Sequence, residues 1–150
     1  MAMSDLSIEP ATLDDLPELT SLLGDLFSRE PDFTPDPDKQ LRGLRLILEQ
    51  PSRGRIFVAR NERMILGMIN LLITISTAEG GFVLWLEDLV VHENYRGKGL
   101  GTRLVRHAID FAREKNFLRI TLLTDDLDGA RPFYAGHGFV ESSMRPMRLN

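Results

Sequence analysis

The chain has 150 residues, which suits one domain spanning residues 1–150 and leaves little room for a second. Its hydrophobic content of 43% and charged content of 27% are those of a globular protein. The net charge of −4 disfavours a general nucleic-acid-binding protein, because such proteins are usually basic. The absence of cysteine excludes disulfides, cysteine-ligated zinc and a cysteine nucleophile.

The sequence predicts neither a signal peptide nor a membrane span. Residues Met1–Ser7 have no basic segment followed by an apolar one. The most apolar run, Met64–Ile75, is much shorter than the ~18 residues that indicate a membrane span. We therefore expect a soluble, cytoplasmic protein that does not associate with membranes.

The first part of the chain predicts one short strand and two helices. Ser7–Pro10 is the predicted strand. Thr12, with an acid three residues later, is typical of a capping box, and leucines at helical spacing extend a helix from there to about Ser28. Glu30–Asp38 contains three prolines and four acids and is predicted as a loop. A second helix runs from about Pro37 until Pro51 ends it.

The middle of the chain changes to strand patterning and predicts an antiparallel meander. Its three strands are Arg55–Arg60, Met64–Thr77 and Phe82–Val91. Gly67 is a candidate bulge in the second of them. The third strand is apolar on both faces, as expected of a central strand that is covered on both sides.

The last part alternates helices and strands. An amphipathic helix is predicted from Gly99 to about Lys115, followed by a strand over Leu118–Thr124. A short helix follows over about Gly129–Gly136, and one or two closing strands are predicted from Phe139 onward. The element order is therefore β–α–α–β–β–β–α–β–α–β, an α+β arrangement that some schemes class as α/β.

A glycine-rich loop, Arg96–Gly101, connects the third meander strand to the amphipathic helix. Glycines at such a connection let backbone N–H groups approach phosphate oxygens at the positive end of the helix dipole. Arg96 and Lys98 add positive charge at the same place. A Walker A loop is absent, and the dinucleotide pattern that starts at Gly97 fails because residue 102 is threonine.

The run Arg96-Gly97-Lys98-Gly99-Leu100-Gly101 resembles the acetyl-CoA signature of the GNAT N-acetyltransferases. The stretch Ala130–Phe139 is similar to a second element of that family, A-x-x-F-Y-x-x-x-G-F, and the element order also matches. The resemblance covers nearly the whole chain. It implies a mixed central sheet of about six to seven strands flanked by about four helices.

The resemblance also implies acetyl-CoA as co-substrate, bound by the glycine-rich loop and the preceding strand. The pyrophosphate would lie on the loop amides and the pantetheine arm would run along the strand, near Leu89 and Val91. A backbone N–H of Leu89 or Val90 is implied as the oxyanion donor. The implied cofactor-binding residues are Leu89, Val90, Val91, Arg96, Gly97, Lys98, Gly99, Leu100, Gly101 and Thr102.

The family mechanism is direct attack of an amine on the thioester, which needs no cysteine. Tyr134 matches the family position of the general acid, and a phenol with a pKa of about 10 is protonated at neutral pH. Glu87 is our first choice for the base, with Asp88 or a water as alternatives. Strand alternation places these two carboxylates on opposite faces unless a bulge intervenes. Where the family often carries Asn, this sequence has Leu127, with Asp125 nearby.

The acceptor is predicted only as a primary amine, either a small molecule or a peptide amine. The acidic stretch Glu30–Asp38 favours a cationic acceptor over an acidic one. His92, His107 and His137 are widely spaced and form no metal-ligand pattern, so no metal site is predicted. The alternatives are a non-catalytic acyl-CoA-binding sensor or interaction module and a dinucleotide-binding oxidoreductase. A homodimer is compatible with the family.

Overall fold

The computed structural model of the protein describes residues 5–125 and 129–150. In these ranges there are five strands and four α-helices. The strands are β1 (Leu6–Pro10), β2 (Gly54–Asn61), β3 (Met64–Ser76), β4 (Gly81–Val91) and β5 (Ile120–Leu122). The helices are α1 (Leu16–Arg29), α2 (Pro37–Leu48), α3 (Leu100–Glu114) and α4 (Ala130–Ala135).

The strands form one mixed sheet in the order β1-β2-β3-β4-β5. β2, β3 and β4 are antiparallel neighbours, as the meander predicts, and β1 also pairs antiparallel with β2. β5 runs parallel to β4, so α3 is the crossover helix between them. The β4–β5 pairing is short and involves only Leu84–Leu86 of β4.

Two apolar clusters cover the two faces of the sheet. On one face, leucines of α1 and Leu44 of α2 pack against Val58, Met68 and Val90. On the other face, Leu104 and its neighbours on α3 pack against β2, β3 and β4. This α+β arrangement agrees with the predicted layers, and every predicted helix is present.

Two local predictions agree with the structure, namely the capping box at Thr12 and an irregular strand pairing beside Gly67. The Thr12 N–H donates to Asp15 Oδ2 at 2.8 Å, as the capping box predicts. The β2–β3 register is irregular beside Gly67, where a Cβ would lie 3.0 Å from the carbonyl oxygen of Val90. No helix in the described part of the chain is long and apolar enough to cross a membrane.

The prediction of six to seven strands is wrong for the described residues, since residues 139–150 form no strand. β5 has only three residues and offers little edge for a further strand to pair with. Pro146 also lacks the N–H that a ladder requires. Apolar side chains of this segment therefore stay exposed, and Val140 and Met147 are 91% and 98% exposed.

Candidate active site

A β-bulge in β4 organises the site. Asn70 on β3 pairs with Asp88, whereas the next β3 residue, Leu71, pairs with Leu86, so Glu87 is the extra residue. The bulge reverses the alternation of side chains along β4, so that even-numbered residues before and after it point to opposite faces of the sheet. Leu86 packs in the cluster on the α3 side, whereas Val90 packs in the cluster on the α1 and α2 side.

The bulge brings Glu87 and Asp88 to one cavity, which strict alternation does not allow. This cavity has a volume of about 310 Å³ and lies where the end of α1, the bulge, the segment after β5, and α4 meet. Glu87 is exposed, whereas Asp88 is only 8% exposed. The lining residues are Leu26, Arg29, Glu30, Leu86, Glu87, Asp88, Leu89, Thr124, Asp125, Ala130, Phe133 and Tyr134.

Asp88 is the most strongly perturbed carboxyl of the cavity. Burial raises the pKa of Asp88 to about 7, and the negative charges of Glu87 and Glu30 act in the same direction. The Asn70 side chain opposes this rise in pKa, because its Nδ2 donates a hydrogen bond to Asp88 Oδ2 at 2.9 Å. A carboxyl with a pKa near neutrality can take up and release a proton under ordinary conditions.

Tyr134 lies on α4 and lines the same cavity as Asp88. Its ring packs edge-on against Phe133 and Phe139, with centroids 5.1 Å and 5.6 Å away. Burial raises the pKa of Tyr134 to about 12, and the charges of Asp88 and Glu30 contribute to the rise. The phenol therefore remains protonated throughout the neutral range.

Glu30 adds a third carboxylate to the cavity wall. The sequence places it in an acidic loop, and the structure puts it just after the last residue of α1. Burial, and next the charge of Asp125, raise the pKa of Glu30. Loop composition alone carries no signal for this placement, because it depends on how α1 packs against the sheet.

The glycine-rich loop adopts the geometry that its glycines permit. Gly97 and Gly99 have φ values of 76° and 84°, a region that other residues rarely adopt. Gly99 is the N-cap of α3, and the Arg103 N–H donates to its carbonyl at 3.1 Å. The N–H groups of the first three helical residues therefore have no partner within the helix. These residues are Leu100, Gly101 and Thr102.

Acetyl-CoA fits these features of the loop. A helix N-terminus whose first N–H groups have no side-chain cap presents those groups to phosphate oxygens. Arg96 and Lys98 flank it, with the Arg96 Nε donating to the Val91 carbonyl at 3.1 Å and the Lys98 ammonium 5.4 Å from the Tyr95 ring centre. Leu100 is buried, so only its backbone is available to a ligand.

The part of β4 that is predicted to bind the cofactor lies beyond the part that pairs with β5. Pairing with β5 stops at Leu86, so Leu89–Val91 have no partner strand on that side within residues 5–125 and 129–150. An unpaired strand edge offers backbone N–H and C=O groups to an extended amide-containing chain. The Val90 side chain is buried, so its contribution would come from the backbone.

Two further predictions from the sequence concern position 127 and the histidines. Leu127, at the usual position of the family Asn, lies outside the described residues, whereas Asp125 lines the cavity. His107 packs edge-on against Phe57 with centroids 4.5 Å apart, and burial lowers its pKa. In the described part of the chain, no three His, Asp or Glu side chains are grouped as metal ligands.

The profile of the Acetyltransferase (GNAT) family matches residues 16–139, which contain both the loop and the cavity. The chain belongs to this family. The match begins with α1 and ends at Phe139, so it includes every element that lines the GNAT cavity described above.

Curated relatives and solved structures agree with this membership. A glucosamine 6-phosphate N-acetyltransferase of Trypanosoma brucei brucei is 29% identical over 97% of this chain and 96% of its own. Streptothricin acetyltransferase A of Bacillus subtilis (strain 168) is 38% identical over 50% of this chain, and the match spans only 43% of that relative. The crystal structure of a possible acetyltransferase from Clostridium difficile 630 has a TM-score of 0.87 at 19% identity over 97% of both chains, which supports the fold alone.

Proposed function

We propose that this protein transfers the acetyl group of acetyl-CoA to a primary amine by direct attack in a ternary complex. The observation that carries the proposal is the cavity beside the β4 bulge, because Tyr134, Glu87 and Asp88 all line it. The relatives named above are acetyltransferases, which gives no support to the alternative of a non-catalytic acyl-CoA sensor.

The co-substrate supplies a thioester carbonyl that is open to attack by an amine. The loop Arg96–Gly101 and Thr102 would hold its pyrophosphate through the uncapped N–H groups of α3. The backbone of Leu89–Val91 would hold the pantetheine amides. A backbone N–H of Leu89 or Val90 would donate to the carbonyl oxygen as negative charge develops there.

Tyr134 would donate its phenolic proton to the departing thiolate. With a pKa of about 12, it keeps that proton until a strong base forms next to it. The raised pKa therefore favours a role as a proton donor over a role as a base.

The amine must lose a proton before or during attack, and two carboxyls of the bulge are the candidates to receive it. Glu87 is the first choice from the sequence. Asp88 has the stronger structural support, because burial places its pKa at about 7, close to the range in which a base works best. Glu87 is the exposed one of the pair and is suited to attracting the ammonium group of the acceptor.

We propose a cationic acceptor that carries no phosphate. Glu30, Glu87 and Asp88 all line the cavity, and Arg29 is the one cationic residue among its described lining residues. A negative cavity attracts ammonium groups and repels phosphate groups. The named substrate of the trypanosomal relative, glucosamine 6-phosphate, carries the charge that this cavity disfavours.

The test is release of free CoA from acetyl-CoA in the presence of a panel of amines. The panel contains monoamines, diamines, amino sugars, glucosamine 6-phosphate and a lysine peptide. We expect turnover with cationic amines and the weakest turnover with the phosphorylated sugar. Equal turnover of the phosphorylated sugar contradicts the charge proposal, and no turnover with any amine contradicts the enzyme proposal.

Tyr134→Phe is the matched variant for this assay. It removes the proton donor, so we expect kcat to fall about 100-fold or more while the KM for acetyl-CoA changes little. Tyr95→Phe is the control, because it removes the other tyrosine hydroxyl, which donates a hydrogen bond to the Met64 sulfur at 3.8 Å and does not line the cavity in the described part of the chain. If both variants retain full kcat, Tyr134 is not the acid.

A further inference from the structure

We propose that Asn70 is a positioning residue of the acetyl-transfer reaction, with an amide that serves both the charged and the neutral form of Asp88. This inference rests on the proposed function, in which Asp88 takes the proton of the amine. It concerns a residue of β3 that lies outside the cavity lining and touches no substrate.

The two side chains meet directly across the sheet. Asn70 and Asp88 are cross-strand partners at the first pair beyond the bulge residue Glu87. The Asn70 Nδ2 donates to Asp88 Oδ2 at 2.9 Å, and Asn70 is only 2% exposed. A buried amide at a fixed register position therefore holds one carboxylate oxygen in place.

The other amide atom of Asn70 is unsatisfied. Its Oδ1 is buried and accepts no hydrogen bond within residues 5–125 and 129–150. A buried acceptor without a donor is uncommon and costs free energy. The amide orientation that suits the charged carboxylate thus leaves a second hydrogen-bonding atom unused.

Proton uptake by Asp88 changes which amide atom is needed. As the amine attacks, its N–H bond breaks and an O–H bond forms on the Asp88 carboxylate, which becomes neutral. A neutral carboxyl donates a hydrogen bond through its new O–H, and a half-turn of the Asn70 amide presents Oδ1 to it. Asp88 then releases this proton to water in the cavity, and Tyr134 regains from water the proton that it gave to the thiolate. The Asn70–Asp88 pair thereby returns to its first arrangement.

No cation in the described ranges performs this task instead. No Lys or Arg in these ranges forms an ion pair with Asp88. The charged and titratable groups around it are Glu87 on β4, Arg29 and Glu30 at the end of α1, Asp125 after β5, and Tyr134 on α4. Most of these groups are acidic, and the Asn70 hydrogen bond is the influence that favours the charged form of Asp88.

The experiment compares pH profiles of kcat/KM for the wild type, Asn70→Leu and Asn70→Asp. Asn70→Leu removes the donor and keeps the number of side-chain heavy atoms, so we expect the acidic limb to move up by about 1 pH unit, with kcat/KM about five-fold lower at pH 7 and largely recovered at pH 9. Asn70→Asp puts a second carboxyl against the first and should move the limb further. The KM for acetyl-CoA should stay unchanged, because Asn70 lies away from the glycine-rich loop.

Asn61→Leu is the control. Asn61 is also a buried asparagine with an unsatisfied side-chain atom, but it lies at the end of β2, away from the cavity. We expect it to lower stability and to leave the pH profile in place. If Asn70→Leu behaves in the same way, Asn70 is only structural and the inference is wrong.

A carbon-13 NMR titration of the Asp88 carboxyl separates this inference from the proposed function. In Asn70→Leu the Asp88 midpoint should rise, whether or not an acceptor is present. An active enzyme in which this midpoint does not move overturns the Asn70 inference alone. A wild type that turns over no amine overturns the proposed function, and with it any catalytic role for the pair.

Discussion

Asp88 combines burial with a charge that no described cation balances, so it should be costly for folding. Its pKa is about 7 in the folded chain and close to 3.8 when exposed. Between these values the folded state holds a proton that the unfolded state has released. The free energy of unfolding should therefore fall as pH rises from about 4 to about 7 and then level off.

Asp88→Asn should remove this loss of stability. The new amide also offers a donor to the unsatisfied Oδ1 of Asn70. We expect stabilisation on the order of 2–4 kcal/mol at pH 8 and much less at pH 4. Urea unfolding at both pH values measures it, with Glu87→Gln as the exposed control. Equal stability of Asp88→Asn and wild type at pH 8 would show that Asp88 is readily ionised.

At the residue scale, the sequence predicts the candidate chemical groups of the site, but it does not predict the residue that we propose positions one of them. Tyr134, Glu87 and Asp88 are predicted because a motif and the end of a strand point to them. Asn70 belongs to no motif and is simply a polar residue within the apolar run Met64–Ile75. A polar residue inside an otherwise apolar strand predicts a buried side chain. The sequence does not show which residue that side chain hydrogen-bonds with.

At the element scale, the beginning of α3 depends on backbone conformation. Gly99 has a φ of 84°, and a Cβ there would lie within 4 Å of no atom of the described residues beyond its chain neighbours, so any effect of a side chain comes from strain or from blocking a ligand. Gly24 inside α1 has equally open surroundings, and its φ lies outside the positive range. The two glycines therefore isolate the effect of φ.

Gly99→Ala should lower stability by about 1–2 kcal/mol and raise the KM for acetyl-CoA several-fold, because the N-cap must distort. Gly24→Ala should instead stabilise the chain by about 0.5–1 kcal/mol and leave the KM unchanged. Urea unfolding and initial rates measure both variants. An unchanged KM in Gly99→Ala would mean that the loop amides do not bind the co-substrate.

Element boundaries follow from local signals, whereas the bulge does not. α2 begins at Pro37 and ends shortly before Pro51, and α3 begins just after Gly99, close to where the sequence predicts. A bulge depends on the neighbouring strand, because only pairing with Asn70 and Leu71 reveals that Glu87 is surplus. Alternation within β4 therefore placed the two carboxyls on opposite faces.

At the scale of the whole molecule, stability should come from the sheet and its two clusters and not from the C-terminal segment. Leu84 is fully buried in the centre of the sheet, whereas Met147 and Leu149 are each 98% exposed. The segment is linked to the rest of the chain by contacts such as Arg148 with Asp32 at 3.8 Å. Exposed ion pairs of this kind contribute little.

Leu84→Ala should therefore cost about 2–5 kcal/mol, the range for a buried leucine in a well-packed core. Met147→Ser and Leu149→Ser should each stay within about 0.5 kcal/mol of the wild type. Urea unfolding of the three variants tests this contrast. A loss above 1 kcal/mol at Met147 would show that the segment packs against the chain in solution.

The whole-molecule prediction from sequence was right in its first nine elements and wrong in its last. Most of those nine have a strong periodic signal or a buried face to fill, whereas the short helix α4 is predicted from the glycines that flank it. The segment after Phe139 has scattered apolar residues, of which only Met147 and Leu149 alternate with a polar one, and it has no sheet edge long enough to receive them. Periodicity alone does not report whether a partner exists.

The surplus residue of β4 has a consequence for insertions and deletions. Asp88 and Leu86 already face neighbouring positions of β3, so a chain without Glu87 would keep every other pair of the ladder in register. The fold thus has no need of this residue, and losing it would straighten β4 and favour longer pairing with β5. Selection that keeps an additional residue in a central strand would therefore act on the cleft, because the sheet alone would be more regular without it.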